Sequence, residues 1–272
     1  MTTPAATAAP VHLLEPLLGL VARAGAAILE VYAAAAHGVE YKDDRSPITA
    51  ADRAAHELLS AGLARLSPQV PVLSEEAAEG HAAGVRRGWS QLWLVDPLDG
   101  TREFIGRNGE FTVNVALVHG HRPVLGIVAA PALGLTYYAA AGAGAWRLRD
   151  GGRAEAIRVR PAAVPPVVVG SRSHRGDSLD AVLARLGPHE LRPMGSALKF
   201  CLVAEGSADF YPRLGPTSEW DTSAAQAVLE AAGGAVVGLD GAPLSYNARD
   251  TLLNPHFLAY GDATRDWLGC VG

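Results

Sequence analysis

Several features that would narrow the function are missing from this chain. It carries only two cysteines, Cys201 and Cys270, both in apolar surroundings. They read as core residues of a reduced, cytosolic protein, not as a disulfide framework. No Lys/Arg run exists beyond Arg86-Arg87 and the formal charge is −5, so the basic footprint of a nucleic-acid binder is absent. No Cys/His cluster is present, which excludes a zinc-type centre. No uninterrupted apolar run reaches the roughly 18 residues of a spanning helix, so no transmembrane segment is expected. Met1 to Pro10 is Ala/Thr/Pro-rich without a basic region, a loose tail and not a signal peptide. There is no internal repeat. What remains is 272 residues, 49% of them hydrophobic, enough for one large domain or two moderate ones.

Periodicity predicts an α/β protein in two halves. Leu14, Leu17, Val21, Ile28 and Val31 recur at helical spacing within 11–36, ended by Gly38. Lys42 to Pro47 is a polar loop. Thr49 fits an N-cap with Asp52 three residues on, and Leu58, Leu59, Leu63 and Leu66 give the second helix its buried face. Val70 to Leu73 is a short strand delivering Ser74-Glu75-Glu76. Strand signals follow at Phe111 to Val118, Val124 to Ala129, Leu135 to Tyr138 and Ile157 to Val159, the last after a hairpin turn at Asp150-Gly151-Gly152. The boundary falls between Arg160-Pro161 and Pro165-Pro166. Residues 1–160 are expected to form an α+β half on an antiparallel sheet, and 161–272 an α/β half with strands at 167–169, 209–211, 235–237 and 257–260 and helices at 178–186, 197–205 and 222–232.

The chemistry concentrates in acids at the ends of predicted elements. Leu92-Trp93-Leu94-Val95 reads as a buried strand that runs into Asp96-Pro97-Leu98-Asp99-Gly100-Thr101. Two carboxylates three residues apart, with a proline between them and a glycine after, repel each other and call for compensation, most simply by a divalent cation. As an isolated hexapeptide this is equally an ordinary acidic turn. Asp221 alone is an N-cap for the helix at 222, Glu75 alone a strand-end charge, and Thr49 with Asp52 alone a capping box. Together they place acids at three strand-to-loop junctions, where α/β sheets carry their sites. Oxygen-only ligation selects a hard ion such as Mg²⁺ or Mn²⁺.

Ser74-Glu75-Glu76, Asp96-Pro-Leu-Asp-Gly-Thr101 and Trp220-Asp221 resemble the three signatures of the inositol monophosphatase superfamily, Mg²⁺-dependent, lithium-sensitive phosphomonoesterases with a layered αβαβα sugar-phosphatase fold. The chain is most similar to one branch, the bacterial CysQ-type 3′(2′),5′-bisphosphate nucleotidases. The stretches 99–105, 107–113, Ser171-Arg-Ser-His174, Gly195 to Gly206, Tyr211 to Pro216 and Leu253-Asn-Pro255 carry that likeness, which runs from about Val11 to Tyr260. Two small-residue departures stand out: Ser223, where the family has Ala, and Ala197, where it has Ser. The first leaves Asp221 undisturbed, and the second removes one hydroxyl near the substrate.

The resemblance implies that Glu75, Asp96, Asp99, Asp221 and the Leu98 carbonyl ligate two or three Mg²⁺ ions (Mn²⁺ being an alternative). It assigns the orientation of a metal-activated water to Thr101 with Asp52, assisted by Glu76. Gly100 and Thr101 N–H groups would face the phosphate, and Ser171, His174, Ser196, Lys199 and Asp221 would contact a nucleoside bisphosphate. Without the resemblance His174 is a loop histidine and Lys199 a helix-surface lysine. Phe104 reads equally as core, and Arg107 as a structural ion-pair member. The implied activity is hydrolysis of adenosine 3′,5′-bisphosphate to AMP and phosphate in support of sulfate assimilation. Rival readings are the same mechanism on inositol monophosphate or fructose 1,6-bisphosphate, and a non-catalytic phosphate-ligand sensor. The resemblance is compatible with a cytoplasmic monomer or homodimer, peripheral membrane association included.

Overall fold

In the computed structural model, residues 10–33, 39–41, 47–172 and 177–271 are described. Residues 42–46 of the polar loop expected at Lys42 to Pro47, the expected helix stop at Gly38, the N-terminal tail up to residue 9 and His174 lie outside them, while Pro47 begins a strand.

The first helix, α1 (Leu14–Ala33), is preceded by a 3-10 turn at Val11–Leu13. By length and composition alone, Val11–Ala33 could cross a membrane. Its leucines instead serve the core: Leu17, Leu20, Val21 and Ile28 are at most 3% exposed. They meet α2 (Ala50–Leu66), which follows a small hairpin of β1 (Val39–Tyr41) and β2 (Pro47–Thr49). On α2, Leu59 and Leu63 are buried as expected, but Leu58 is 38% exposed. Position 58 lies about 100° from 59, which turns it off the inward stripe.

Seven strands form the first sheet in the order β3-β4-β5-β6-β7-β8-β9. They are β3 (Val72–Ser74), β4 (Gln91–Asp99), β5 (Thr112–His119), β6 (Arg122–Ala130), β7 (Leu135–Ala140), β8 (Gly144–Arg149) and β9 (Glu155–Ile157). Only β3 and β4 run parallel; every later pair is antiparallel. A 3-10 turn at Glu75–Gly80 and a short α3 (Ala83–Arg86) lead from β3 to β4, and α4 (Thr101–Ile105) follows β4.

The second sheet has the order β11-β10-β12-β14-β13. Its strands are β10 (Val167–Ser171), β11 (Glu190–Met194), β12 (Phe210–Arg213), β13 (Ala235–Gly238) and β14 (Phe257–Tyr260), with α5 (Asp177–Leu186), α6 (Leu198–Ala204) and α7 (Glu219–Ala231) between them. Four strands, β1, β2, β8 and β11, escape the sequence reading. Trp146-Arg147-Leu148-Arg149 alternates as a strand should, but the Ala/Gly run from Ala139 to Ala145 hides where β8 begins, and charges with a proline (Glu190, Arg192, Pro193) mask β11 at its sheet edge.

Alternation along β4 and β5 sorts the layers. Trp93 and Val95 join Val113 and Val115 against α1 and α2, while Leu92 and Leu94 join Ala116 and Val118 against α6 and α7. The second sheet closes the far side of α6 and α7, and its outer face is covered by α5 and the C-terminal segment at Trp267 and Cys270. The five layers are thus αβαβα. Gly126 sets the depth of α7: a Cβ there would stand 2.2 Å from the Ala224 carbonyl oxygen, so only glycine lets the helix lie this close to β6.

Candidate metal and phosphate site

The site begins with a flaw in the β4–β5 ladder. Asp96 pairs with Asn114 and Asp99 with Thr112, so three steps along β4 oppose two along β5. Pro97 has no N–H for the ladder, and the extra residue is accommodated as a bulge. This has a direct chemical result. Residues three apart on a regular strand point to opposite faces, but across the bulge Asp96 and Asp99 point to the same one. Leu98 is turned the other way, into the core under α1 and α2. The side chain of Asp96 is held from within, since the Leu98 N–H donates to its Oδ1 at 3.1 Å. Asp99 Oδ2 accepts from Thr112 Oγ1 at 3.3 Å and Asn114 Nδ2 at 3.4 Å.

Asp221 arrives from the other half of the chain. It is not the N-cap expected of it. Helix α7 starts three residues earlier than expected, Ser218 is the N-cap, and Asp221 is the N3 member of a capping box whose Oδ2 accepts from the Ser218 N–H at 2.8 Å. One carboxylate oxygen is thereby fixed while the group still faces Asp99 and Glu75, whose charges act on it.

Electrostatics identifies the members of the cluster. Asp96 is buried at 1% exposure, and its carboxyl is held well above the usual range, first by burial and then by repulsion from Glu75, Asp99, Asp221 and Asp52. Burial and Glu103 push Asp99 up, while Lys199, Asn114 and the Ala197 N–H oppose this. Burial and Asp99 likewise raise Asp221. Five carboxylates from α2, the β3 end, β4 and α7 thus share one volume. Among the described residues no three of them have already closed into a metal cage. The donor set nonetheless fits a hard cation. The donors are all oxygens, the cluster is self-repelling, and Asn114 Oδ1 is buried beside it with no protein partner.

Of the other expected residues, Ser196 and Lys199 are brought to the cluster. Lys199 is not on the helix surface: it is 6% exposed, and its Nζ donates to the carbonyls of Ser196 at 2.6 Å and Met194 at 3.4 Å. Burial pulls it down to about 8 against the attraction of Asp99. Ser196 Oγ donates to the Asp99 carbonyl at 2.9 Å. Ser171 ends β10 opposite Met194, one residue before the Gly195-Ser196 turn. Thr101 opens α4, whose N-cap Gly100 has φ 91°, and Glu76 stands in the 3-10 turn after β3. Phe104 is core at 1% exposure, packed on Tyr32 and Phe111, and Arg107 lies over the Tyr32 ring and donates to its carbonyl at 2.8 Å.

The sequence reading missed Thr112, Asn114 and Arg213. Thr112 and Asn114 are polar positions two apart within an apolar strand, a legible signal of one wet face. Arg213, at the end of β12, donates to the Pro216 carbonyl at 2.8 Å, and its charge reaches Asp221 and Lys199.

A model of the inositol monophosphatase family matches residues 10–265. The 3′(2′),5′-bisphosphate nucleotidase CysQ of Salmonella typhimurium is 53% identical over 247 residues, 90% of this chain and 98% of that protein. Its counterpart in Escherichia coli K12 is 51% identical over 246 residues, again 90% of this chain and 98% of the relative. The crystal structure of CysQ from Bacteroides thetaiotaomicron superimposes with a TM-score of 0.80 at 41% identity, covering 91% of this chain and 96% of that one. A Thermotoga maritima inositol monophosphatase gives 0.77 at 25% identity, covering 96% of each. With the acids of the three signatures gathered at one point of a shared fold, this chain belongs to the inositol monophosphatase family.

Proposed function

We propose that this protein is a Mg²⁺-dependent phosphomonoesterase that hydrolyses adenosine 3′,5′-bisphosphate to AMP and phosphate. The observation that carries the reading is the convergence of Asp52, Glu75, Asp96, Asp99 and Asp221 on one volume, in a chain half-identical to nucleotidases over nine-tenths of its length. Glu75, Asp96, Asp99, Asp221 and the Leu98 carbonyl would hold two or three cations. Bound there, divalent cations invert the sign of the acidic cluster, polarise the phosphoryl oxygens and activate water.

The remaining roles belong to the chain. An isolated set of five acids would repel a dianionic ester. Lys199 and Arg213, whose charges are felt at Asp99 and Asp221, temper that field on the α6 and β12 side. The Gly100 and Thr101 N–H groups, at the start of α4, are free of the helical ladder and suited to a phosphoryl oxygen. Thr101 with Asp52 would orient the attacking water, with Glu76 assisting. Ser171 and His174 would meet the nucleoside end. Two free, buried thiols at Cys201 and Cys270 suit the reducing cytoplasm, where we place the enzyme.

Chelation tests the metal requirement. Phosphate release from the bisphosphate should cease in EDTA and return on adding excess Mg²⁺. Full activity in EDTA would refute the metal-dependent mechanism.

A further inference from the structure

Two stretches that stand out in the sequence, 107–113 and 171–174, are joined through Glu110 and Arg172. The first is built to present Glu110. Arg107 and Gly109 turn in left-handed conformations, φ 55° and 77°, and Arg107 is anchored on the ring and carbonyl of Tyr32. Asn108 Oδ1 then accepts from the Glu110 N–H at 2.9 Å, an Asx-type turn that fixes where the Glu110 side chain starts. Arg172, just past β10, grips that carboxylate with two donors, Nε to Oε2 at 2.8 Å and Nη2 to Oε1 at 2.6 Å. A planar guanidinium meets a carboxylate this way in one orientation, so the fork fixes direction as well as distance. The Glu110 side chain is only 13% exposed, which spares the pair much of the screening that an open surface pair meets.

The pair ties down more than itself. Glu110 Oε2 also accepts from the Gly195 N–H at 2.8 Å, and Arg172 Nη2 also donates to the Pro193 carbonyl at 3.2 Å. The Arg172 N–H donates to the Met194 carbonyl at 3.3 Å, continuing the pairing of Ser171 with Met194. The ends of β10 and β11 and the turn after β11 are thereby held together on Glu110. The contact is close: a Cβ on Gly195 would stand 2.8 Å from the Glu110 carbonyl oxygen, so glycine is needed there. On the other side, Glu110 is two residues from Thr112, which donates to Asp99 in the acidic cluster. One ion pair thus links the strand ends of the second sheet to the strand that carries the partners of Asp99.

We propose that Glu110 and Arg172 are positioning residues, a latch that holds the nucleotide-binding edge of the second sheet at a fixed distance from the metal cluster and so favours a nucleotide over smaller phosphate esters. This rests on the nucleotidase reading above. Neither residue touches the substrate: the Arg172 fork is spent on Glu110, and Glu110 as an anion would repel a phosphate ester.

The test is calorimetric binding of AMP in the presence of Mg²⁺ to wild type, Glu110→Gln, Arg172→Gln and the double variant, with Mg²⁺ titrations and steady-state kinetics on adenosine 3′,5′-bisphosphate alongside. AMP carries the nucleoside and no scissile 3′-phosphate. Loss of the charge-assisted pair should weaken AMP and raise KM about three- to tenfold in each single variant. Mg²⁺ affinity and kcat should stay within about twofold. Glu110→Gln decides by sign. Removing a negative charge would by itself strengthen binding of an anionic nucleotide, whereas loss of the latch weakens it. The double variant should bind AMP no more weakly than either single one, because each change breaks the same pair. Tighter or unchanged AMP binding in Glu110→Gln, or additive losses in the double variant, would overturn the latch. So would Mg²⁺ affinity falling as far as AMP affinity, the mark of general structural support. A wild type that binds no AMP would refute the nucleotidase reading and the latch with it; a wild type that binds AMP leaves the variants to judge the latch alone.

Discussion

Asp99 is tied to both halves of the chain. Its carboxylate accepts bonds from Thr112 and Asn114, its carbonyl accepts from Ser196 Oγ, and it feels Lys199 and Glu103. Asp99→Asn keeps the shape and removes the charge, so Mg²⁺-dependent phosphate release should fall by at least about 10²-fold with the melting temperature maintained. Retained activity would remove Asp99 from the metal set. One step out, Asn114→Ala deletes a donor to Asp99 and the buried Oδ1 beside the cluster. A loss of about 10–100-fold in Mg²⁺ affinity is expected, as for other partners that orient ligands. A titration of activity against Mg²⁺ reads it, and an unchanged midpoint would contradict the role.

At the scale of elements, the position of Asp221 depends on how the start of α7 is held. Glu219, fully buried and pushed up to about 7 by that burial, accepts from the Asn247 N–H at 2.6 Å and from Arg249 at 3.3 Å. Asn247 in turn accepts from the buried Arg86 at 2.9 Å and returns a bond to the Arg86 carbonyl at 2.6 Å. Arg86 also donates to the Asp250 carbonyl. Arg86→Met orphans these buried groups. A loss of about 3 kcal/mol is expected, on the order of 6–12 °C in melting temperature, with Mg²⁺ affinity falling in parallel. A melt indistinguishable from wild type would mean that α7 is held by packing alone.

None of this brace could be read from the sequence. Glu219-Trp220-Asp221 and Arg86-Arg87 are more than a hundred positions apart, and each looks like an ordinary surface charge. What was legible has a local cause. The helical period of α1 and the alternating or continuous apolar runs of β5, β6 and β14 are one-dimensional signals. The acids at three element ends were visible too, and the structure brings them to one place. The bulge was not foreseen, although Pro97 announces it. The start of α7 was misplaced by three residues because Asp221 is a good N-cap residue type and Ser218 a better-placed one. Lys199 looked like a surface residue because no single-sequence pattern reports that its helix is packed on both sides by sheets.

Over the whole molecule, the cost of gathering so many acids appears as a pH dependence. Asp96, Asp99, Asp221 and Glu219 all have folded-state values above the ordinary carboxylate range. Between the two ranges the folded protein binds more protons than the unfolded chain, so stability falls as pH rises through that window. For Glu219 the window runs from 4.5 to about 7. The metal-free protein in EDTA should therefore melt lower at about pH 8 than at about pH 6, and Mg²⁺ should raise the melt more at the higher pH, where the site carboxylates are ionised. Melting curves at the two values, with and without Mg²⁺, check this. Equal Mg²⁺ stabilisation at both would deny the acids a role in holding the ion.

In the proposed reading, five acids drawn from α2, the turn after β3, β4 and α7, with a bulge to align two of them and a capping box to aim a third, would hold the cations and face a phosphate ester. Which ester it takes is the central claim, and kcat/KM for Mg²⁺-dependent phosphate release from adenosine 3′,5′-bisphosphate, inositol 1-phosphate and fructose 1,6-bisphosphate tests it most directly. The account predicts that the nucleoside bisphosphate is preferred over both by at least about tenfold, or 1.4 kcal/mol of transition-state binding. A higher kcat/KM for inositol 1-phosphate or fructose 1,6-bisphosphate would contradict it.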